Sequence, residues 1–182
     1  MINCAYNPFD ECLPDILECA NLTAWNSYLM NLYDVFVRDF ITTQPIFRGM
    51  PVDIRREPMD GIFEHTFTHL THKKHADCNR YDPNDRIPDL RRSERLVWIR
   101  KIIENYDCIL QEKCDNILFW EEMYRGRVRI NLWYKSENFI VILEQCRSFY
   151  YIITSFFLTN EWEIKKRLRK YQAYQKQKTP LA

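Results

Sequence analysis

The chain is predicted to fold as an α+β protein: N-terminal helices, then an antiparallel β-meander of three or four strands, then a basic C-terminal helix. Three observations predict it. Apolar residues recur at helical spacing in the first half and alternate at spacing two in the final third. The strand-like segments are joined by connections of only two to four residues, Arg125-Gly126, Ser136-Glu137-Asn138 and Gln145 to Ser148, and such short connections join antiparallel neighbours. A chain of 182 residues that is 46% hydrophobic and 15% aromatic can bury a real core and is not a disordered tail. We read residues 1–182 as one domain, with a helical N-terminal region over 1–60 and an α+β core over 61–182.

The first twenty residues hold Pro8 and Pro14 and no clear period, which reads as an irregular arm. Trp25, Tyr28, Leu29, Leu32, Tyr33, Phe36, Val37 and Phe40 then mark an amphipathic helix of about four or five turns, with Asn21 or Thr23 as its cap. Pro45, Pro51 and Pro58 make Gln44 to Gly61 a loop with a short extended piece at Val52 to Ile54. A short helix is expected over Gly61 to Thr71, burying Phe63, Phe67 and Leu70. The polar stretch Lys73 to Asp89 is expected to be a mobile surface loop. Leu96, Ile99, Ile103 and Tyr106 form the stripe of a second strong helix from about Leu90 to Tyr106. The strands are Ile117 to Trp120, Val128 to Tyr134, Phe139 to Leu143 and Phe149 to Leu158, with Val128, Ile130, Leu132 and Tyr134 alternating against Arg129, Asn131, Trp133 and Lys135. After Asn160 a basic helix closes the fold.

Composition excludes several function classes. Only three glycines are present, too few for a glycine-rich phosphate loop or dinucleotide fingerprint. No apolar run reaches the ~20 residues of a membrane helix, and Met1 to Asp15 lacks the basic start of a secretory signal, so a cytoplasmic protein with no membrane partner is expected. Seven cysteines without a CxxC pair read as reduced thiols. The net charge of +1 hides an asymmetry: residues 1–60 carry nine acids against four bases, and residues 161–182 carry seven bases against two acids. The basic tail, with Lys165, Lys166 and Arg169 beside Tyr171 and Tyr174, reads either as a polyanion-binding surface or as a solvated helix face.

Three constellations could carry chemistry. All four histidines fall within eleven residues, and His65, His69 and His72 would share one helical face, where with Cys78 they could hold zinc. No HExxH motif is present, and one catalytic histidine among solvated neighbours is the preferred reading. Arg92 continues the stripe of Leu96, Ile99 and Ile103, so it must meet an anion: either a carboxylate, with Glu64 or Glu94 as candidates, or a phosphate gripped by its planar fork of donors. The last strand carries Thr154, which simple alternation puts on one face with Tyr150 and Ile152.

Taken together, Glu64-His65-Thr66-Phe67-Thr68-His69-Leu70, Pro88-Asp89-Leu90-Arg91-Arg92-Ser93-Glu94-Arg95, the β-meander and Tyr151-Ile152-Ile153-Thr154-Ser155-Phe156 occur in a telling order. Over about residues 60–170 this resembles the phage-associated nuclease-like domains grouped with barnase, EndoU, colicin-type and RelE ribonucleases. The resemblance implies a metal-independent endoribonuclease without cofactor, acting as a toxin or a phage-defence or mobile-element effector, with RNA as substrate and a cognate inhibitor protein as partner. It implies that His69 is the general acid or base, that Arg92 and Arg95 bind the scissile phosphate, and that Thr154 orients the phosphate or the histidine. The alternative is a non-catalytic protein-interaction or nucleic-acid-binding protein on the same fold.

Overall fold

The computed structural model describes residues 13–74, 86–105 and 116–178. It is a mixed α+β structure built on a curled, mostly antiparallel sheet. Helix α1 (Trp25–Phe36) follows a 3-10 turn that Asn21 caps, its side chain accepting from the Thr23 amide at 2.9 Å, and a wide turn continues it to Thr42. The expected stripe is the buried one: Leu32, Phe36 and Phe40 are fully covered.

Residues 46–53 depart from expectation. They form a hairpin of β1 (Ile46–Phe47) and β2 (Met50–Asp53) rather than a loop, turned by Arg48 and Gly49 at φ 52° and 74°. Both central residues lie in the left-handed region, the geometry of a type I′ turn that matches strand twist. The N-terminal region therefore contributes strands as well as helix. Helix α2 (His65–Thr71) buries Phe67 and Leu70 as its spacing predicts. His72 lies beyond its end, in β3 (His72–Lys74), which pairs antiparallel with β4 (Arg86–Pro88). The ends of the expected surface loop are thus a two-stranded ribbon, and its middle lies outside the described residues.

The helix expected over Leu90 to Tyr106 is two pieces, α3 (Leu90–Ser93) and α4 (Leu96–Glu104). Asp89 caps α3 by accepting from the Arg92 amide, and Ser93 is fully buried, its hydroxyl donating to the Thr71 carbonyl at 3.0 Å. Tyr106 lies outside the described residues.

The meander is β5 (Ile117–Tyr124), β6 (Arg127–Tyr134), β7 (Phe139–Gln145) and β8 (Tyr150–Phe157), each antiparallel to the next. The full sheet has six strands in the order β1-β2-β8-β7-β6-β5, not three or four, because β2 joins β8 in parallel through Val52 and Asp53. Its curl brings the β1–β2 turn back to β5, where Arg48 pairs with Glu121 at 2.7 Å. One sheet face buries Ile130, Leu132, Val141, Leu143 and Ile152 against α1, α2 and α4. The other packs Trp120, Trp133 and Ile140 beneath α5 (Glu161–Lys178), through Ile164, Leu168 and Tyr171.

Candidate functional site

Helix α2 is pinned at both ends, and this sets its histidines. At its start, amide donors that no helical carbonyl can reach find the chain leaving β2: His65 N–H donates to the Arg56 carbonyl and Thr66 N–H to the Arg55 carbonyl, at 2.9 and 3.0 Å. The Thr66 hydroxyl accepts from the Arg55 amide at 2.8 Å. At its end, the Arg92 guanidinium donates to the carbonyls of His69 and His72 at 3.0 and 2.9 Å. The paired register of β2 with β8 covers only Tyr150 and Tyr151, and α2 packs against β8.

A bulge in β8 decides which face Thr154 takes. Ile142 pairs with Thr154 but Leu143 pairs with Ile152, so Ile153 is the extra residue and the alternation inverts there. Thr154 therefore does not share a face with Tyr150 and Ile152. It stands with Ile142 and Phe156 on the α5 side, and its hydroxyl approaches the His69 carbonyl at 3.4 Å.

Here a cavity of about 460 Å³ opens between α2, the sheet and α5. Its walls carry His65, His69, Thr154 and Tyr124, the cations Arg55, Lys74, Arg125, Arg129, Arg167 and Lys170, and one carboxylate, Glu122. The two imidazoles lie 4.0 Å apart, centroid to centroid. His69 Nδ1 is 3.0 Å from the His65 carbonyl. A carbonyl only accepts, so Nδ1 carries the hydrogen and Nε2 keeps the lone pair. Burial, reinforced by the Arg86 cation, lowers the His69 pKa to about 4, and burial with Arg86 and Arg55 lowers that of His65. Both rings are therefore neutral at pH 7.

The cations are held in place from beneath. Glu144, its side chain 2% exposed, binds Arg55 and Arg127 through Oε1 at 2.6 Å each and Arg129 through Oε2 at 2.7 Å. Burial alone would raise the Glu144 pKa, but the three guanidiniums outweigh it and hold it below the usual carboxylate range. Glu122 likewise binds Lys170, accepts from Asn131 at 3.3 Å and lies 3.7 Å from Arg167. The cleft thus keeps more positive charge than its carboxylates neutralise, and an anion is its natural occupant.

Of the residues singled out by sequence, His69 and Thr154 meet in this cleft. Arg92 does not line it: the guanidinium is an end cap for α2, with Asp89 at 3.8 Å as its carboxylate rather than Glu64 or Glu94. Arg95 packs over Trp98 and Phe157, 4.9 Å from each ring, and pairs with Glu94. Both are placed structurally: Arg92 gives its Nη1 to the two carbonyls at the end of α2, and Arg95 is held against the two rings and Glu94. Lys165, Lys166 and Arg169 are exposed and outside the cleft wall; Arg167 and Lys170 of the same helix line it instead.

The zinc set is divided as well. His72 hydrogen-bonds with the Thr71 hydroxyl at 2.8 Å and sits edge-on to Trp25, while Cys78 lies outside the described residues. Among the described residues no three His, Cys, Asp or Glu side chains converge on a metal position. Of the cleft residues, Arg55, Arg129, Arg167, Lys170 and Tyr124 were not singled out as site residues. The polar phase of β6 already marks Arg129, but its partners come from distant segments.

Fold and site define an α+β protein with a cationic, histidine-bearing cleft that runs across strands β8 to β5 of its sheet. No protein-family model, curated protein or solved structure matches the chain. Among the described residues no helix is long and apolar enough to cross a membrane.

Proposed function

We propose that the cleft binds an RNA backbone and cleaves it without a metal, by attack of a ribose 2′-hydroxyl on the adjacent phosphate. The observation that carries this reading is His69, whose Nδ1–H donates to the His65 carbonyl and whose Nε2 has no hydrogen-bond partner among the described residues, in a cavity lined by guanidiniums. In the reaction His69 Nε2 takes the 2′-hydroxyl proton as the O2′–P bond forms. Arg55 and Arg129 stabilise the added negative charge on the phosphoryl oxygens, and the P–O5′ bond then breaks. The leaving oxygen needs a proton, and His65 is the group beside His69 to supply it, after a bound phosphate counters the burial and the Arg86 and Arg55 charges that lower its pKa and the ring takes up a proton. The chain's resemblance to metal-independent ribonucleases accords with this chemistry, although phosphate binding moves from Arg92 and Arg95 to Arg55 and Arg129. Free thiols at Cys19 and Cys146 suit a reducing, cytoplasmic setting, and a cognate inhibitor would cover the cleft with carboxylates.

The test is incubation of purified protein with RNA, beside His69→Ala and Arg55→Ala. Removing the base should slow cleavage ~10²- to 10⁴-fold with RNA affinity kept. Arg55→Ala should weaken binding and rate together. Wild type that binds RNA in the cleft yet leaves it intact would favour the non-catalytic nucleic-acid-binding alternative.

A further inference from the structure

The cleft has one aromatic wall, and its surroundings are unusual. Tyr124 ends β5, is 49% exposed and lines the cavity. Two guanidiniums lie over its ring, that of Arg125 at 5.3 Å and that of Arg129 at 5.4 Å from the centroid. They differ in how they are held. Arg129 is clamped to Glu144 at 2.7 Å, whereas Arg125 is exposed and makes no ion pair among the described residues.

The backbone beneath Arg125 sharpens the point. Arg125 and Gly126 turn the β5–β6 hairpin at φ 50° and 76°, the same left-handed geometry as Arg48 and Gly49. The first position of such a turn favours Asn, Asp or Gly. At Arg48 the side chain has a structural use, pairing with Glu121 and lying 4.7 Å from the Phe119 ring centroid. At Arg125 no carboxylate among the described residues is served; the side chain instead covers Tyr124 at the cleft mouth.

We infer that Tyr124 is a base-stacking platform, with Arg125 as its movable cover, and that the cleft selects single-stranded over duplex nucleic acid. This rests on the proposal that the cleft holds a nucleic-acid backbone. An unpaired base can turn its face onto Tyr124 and be closed over by the Arg125 plane while its phosphates run along Arg129, Arg167 and Lys170. A paired base, stacked on both neighbours, cannot offer that face.

The test is fluorescence anisotropy with a labelled single-stranded RNA oligomer and an abasic oligomer of equal length, on wild type, Tyr124→Ala and Tyr124→Trp. The exposed position tolerates all three. Stacking predicts that Tyr124→Ala weakens binding of the RNA oligomer by about 5- to 150-fold, leaves the abasic oligomer unchanged, and is reversed in Tyr124→Trp. An unchanged RNA affinity in Tyr124→Ala, or an equal loss for both oligomers, would overturn the stacking role alone. A wild type that binds neither oligomer would overturn the nucleic-acid cleft itself.

Discussion

Glu144→Gln tests how the cleft is held together. The Glu144 side chain is 2% exposed and that of Arg129 15% exposed, so this pair is buried and charge-assisted. Removing one charge of a buried pair costs about 3–5 kcal/mol, because the other is left without a counter-ion. Arg55 and Arg127 reach water, at 36% and 59% exposure, and their pairs add little. Glutamine keeps an accepting oxygen, so the lower end applies: a loss of about 3 kcal/mol, or roughly 6–12 °C in Tm for a chain of this size. The pH dependence has a definite sign. The folded pKa of Glu144 lies below its unfolded value of ~4.3. Its contribution is therefore complete above that pH and disappears as pH falls through the lower folded value. Urea and thermal melts of both proteins should show a constant gap between pH 6 and 8 that narrows below about 4.3. A loss under about 1 kcal/mol at pH 7, or a gap unchanged at pH 3, would refute the claim that this carboxylate organises the arginines.

Three further outcomes are expected. Because burial and Arg86 hold the His69 pKa at about 4, the acid limb of kcat/KM should bend near pH 4. The rate should fall as pH rises through the lowered His65 pKa, since His65 must hold a proton to act as acid; an acid limb that bends near 6.5 would show that His69 is not the base. Arg92→Ala should cost about 2–3 kcal/mol in urea melts, because two charge-assisted bonds to the end of α2 disappear, and Arg92→Lys should not restore it; an unchanged melt would contradict the capping role. Arg167→Ala with Lys170→Ala should weaken RNA binding and flatten its salt dependence by ~0.7 in log–log slope for each phosphate that is no longer neutralised, while Lys165→Ala with Lys166→Ala should change neither; the opposite result would move the interface to the outer face of α5.

Much of the fold is legible because period and packing agree. Val128, Ile130, Leu132 and Tyr134 are the phase of β6 that joins the larger core, while Asn131 and Trp133 of the other phase are buried beneath α5 as well, and the Arg125-Gly126 turn sits where the glycine implies. The β1–β2 hairpin is harder to see because Pro45 and Pro51 interrupt it. Pro51 is tolerated since β8 pairs only with Val52 and Asp53, so its missing N–H goes unrequested there. Arg48-Gly49 carries the same turn signal as Arg125-Gly126 and could have revealed it.

The site is legible one residue at a time. His69 stands out by its cluster and Thr154 as a hydroxyl in an apolar run, although the bulge at Ile153 inverts its face. Arg92 is largely covered, its side chain 11% exposed, as its place in the stripe implies, but it meets backbone carbonyls, which no residue type announces. Arg55, Arg129 and Arg167 converge only after the sheet curls and α5 crosses it, so their meeting depends on long-range topology rather than local pattern.

The central claim is that His69 serves as base for attack by a ribose hydroxyl. Its most direct test is end-group analysis on an oligonucleotide carrying a single ribose among deoxyriboses, treated with wild type and with His69→Ala. The account predicts one cut, at the ribose, leaving a 2′,3′-cyclic phosphate and a 5′-hydroxyl, with the cut abolished in the variant. Cleavage at deoxyribose positions, a 3′-hydroxyl product, or full activity in His69→Ala would contradict it.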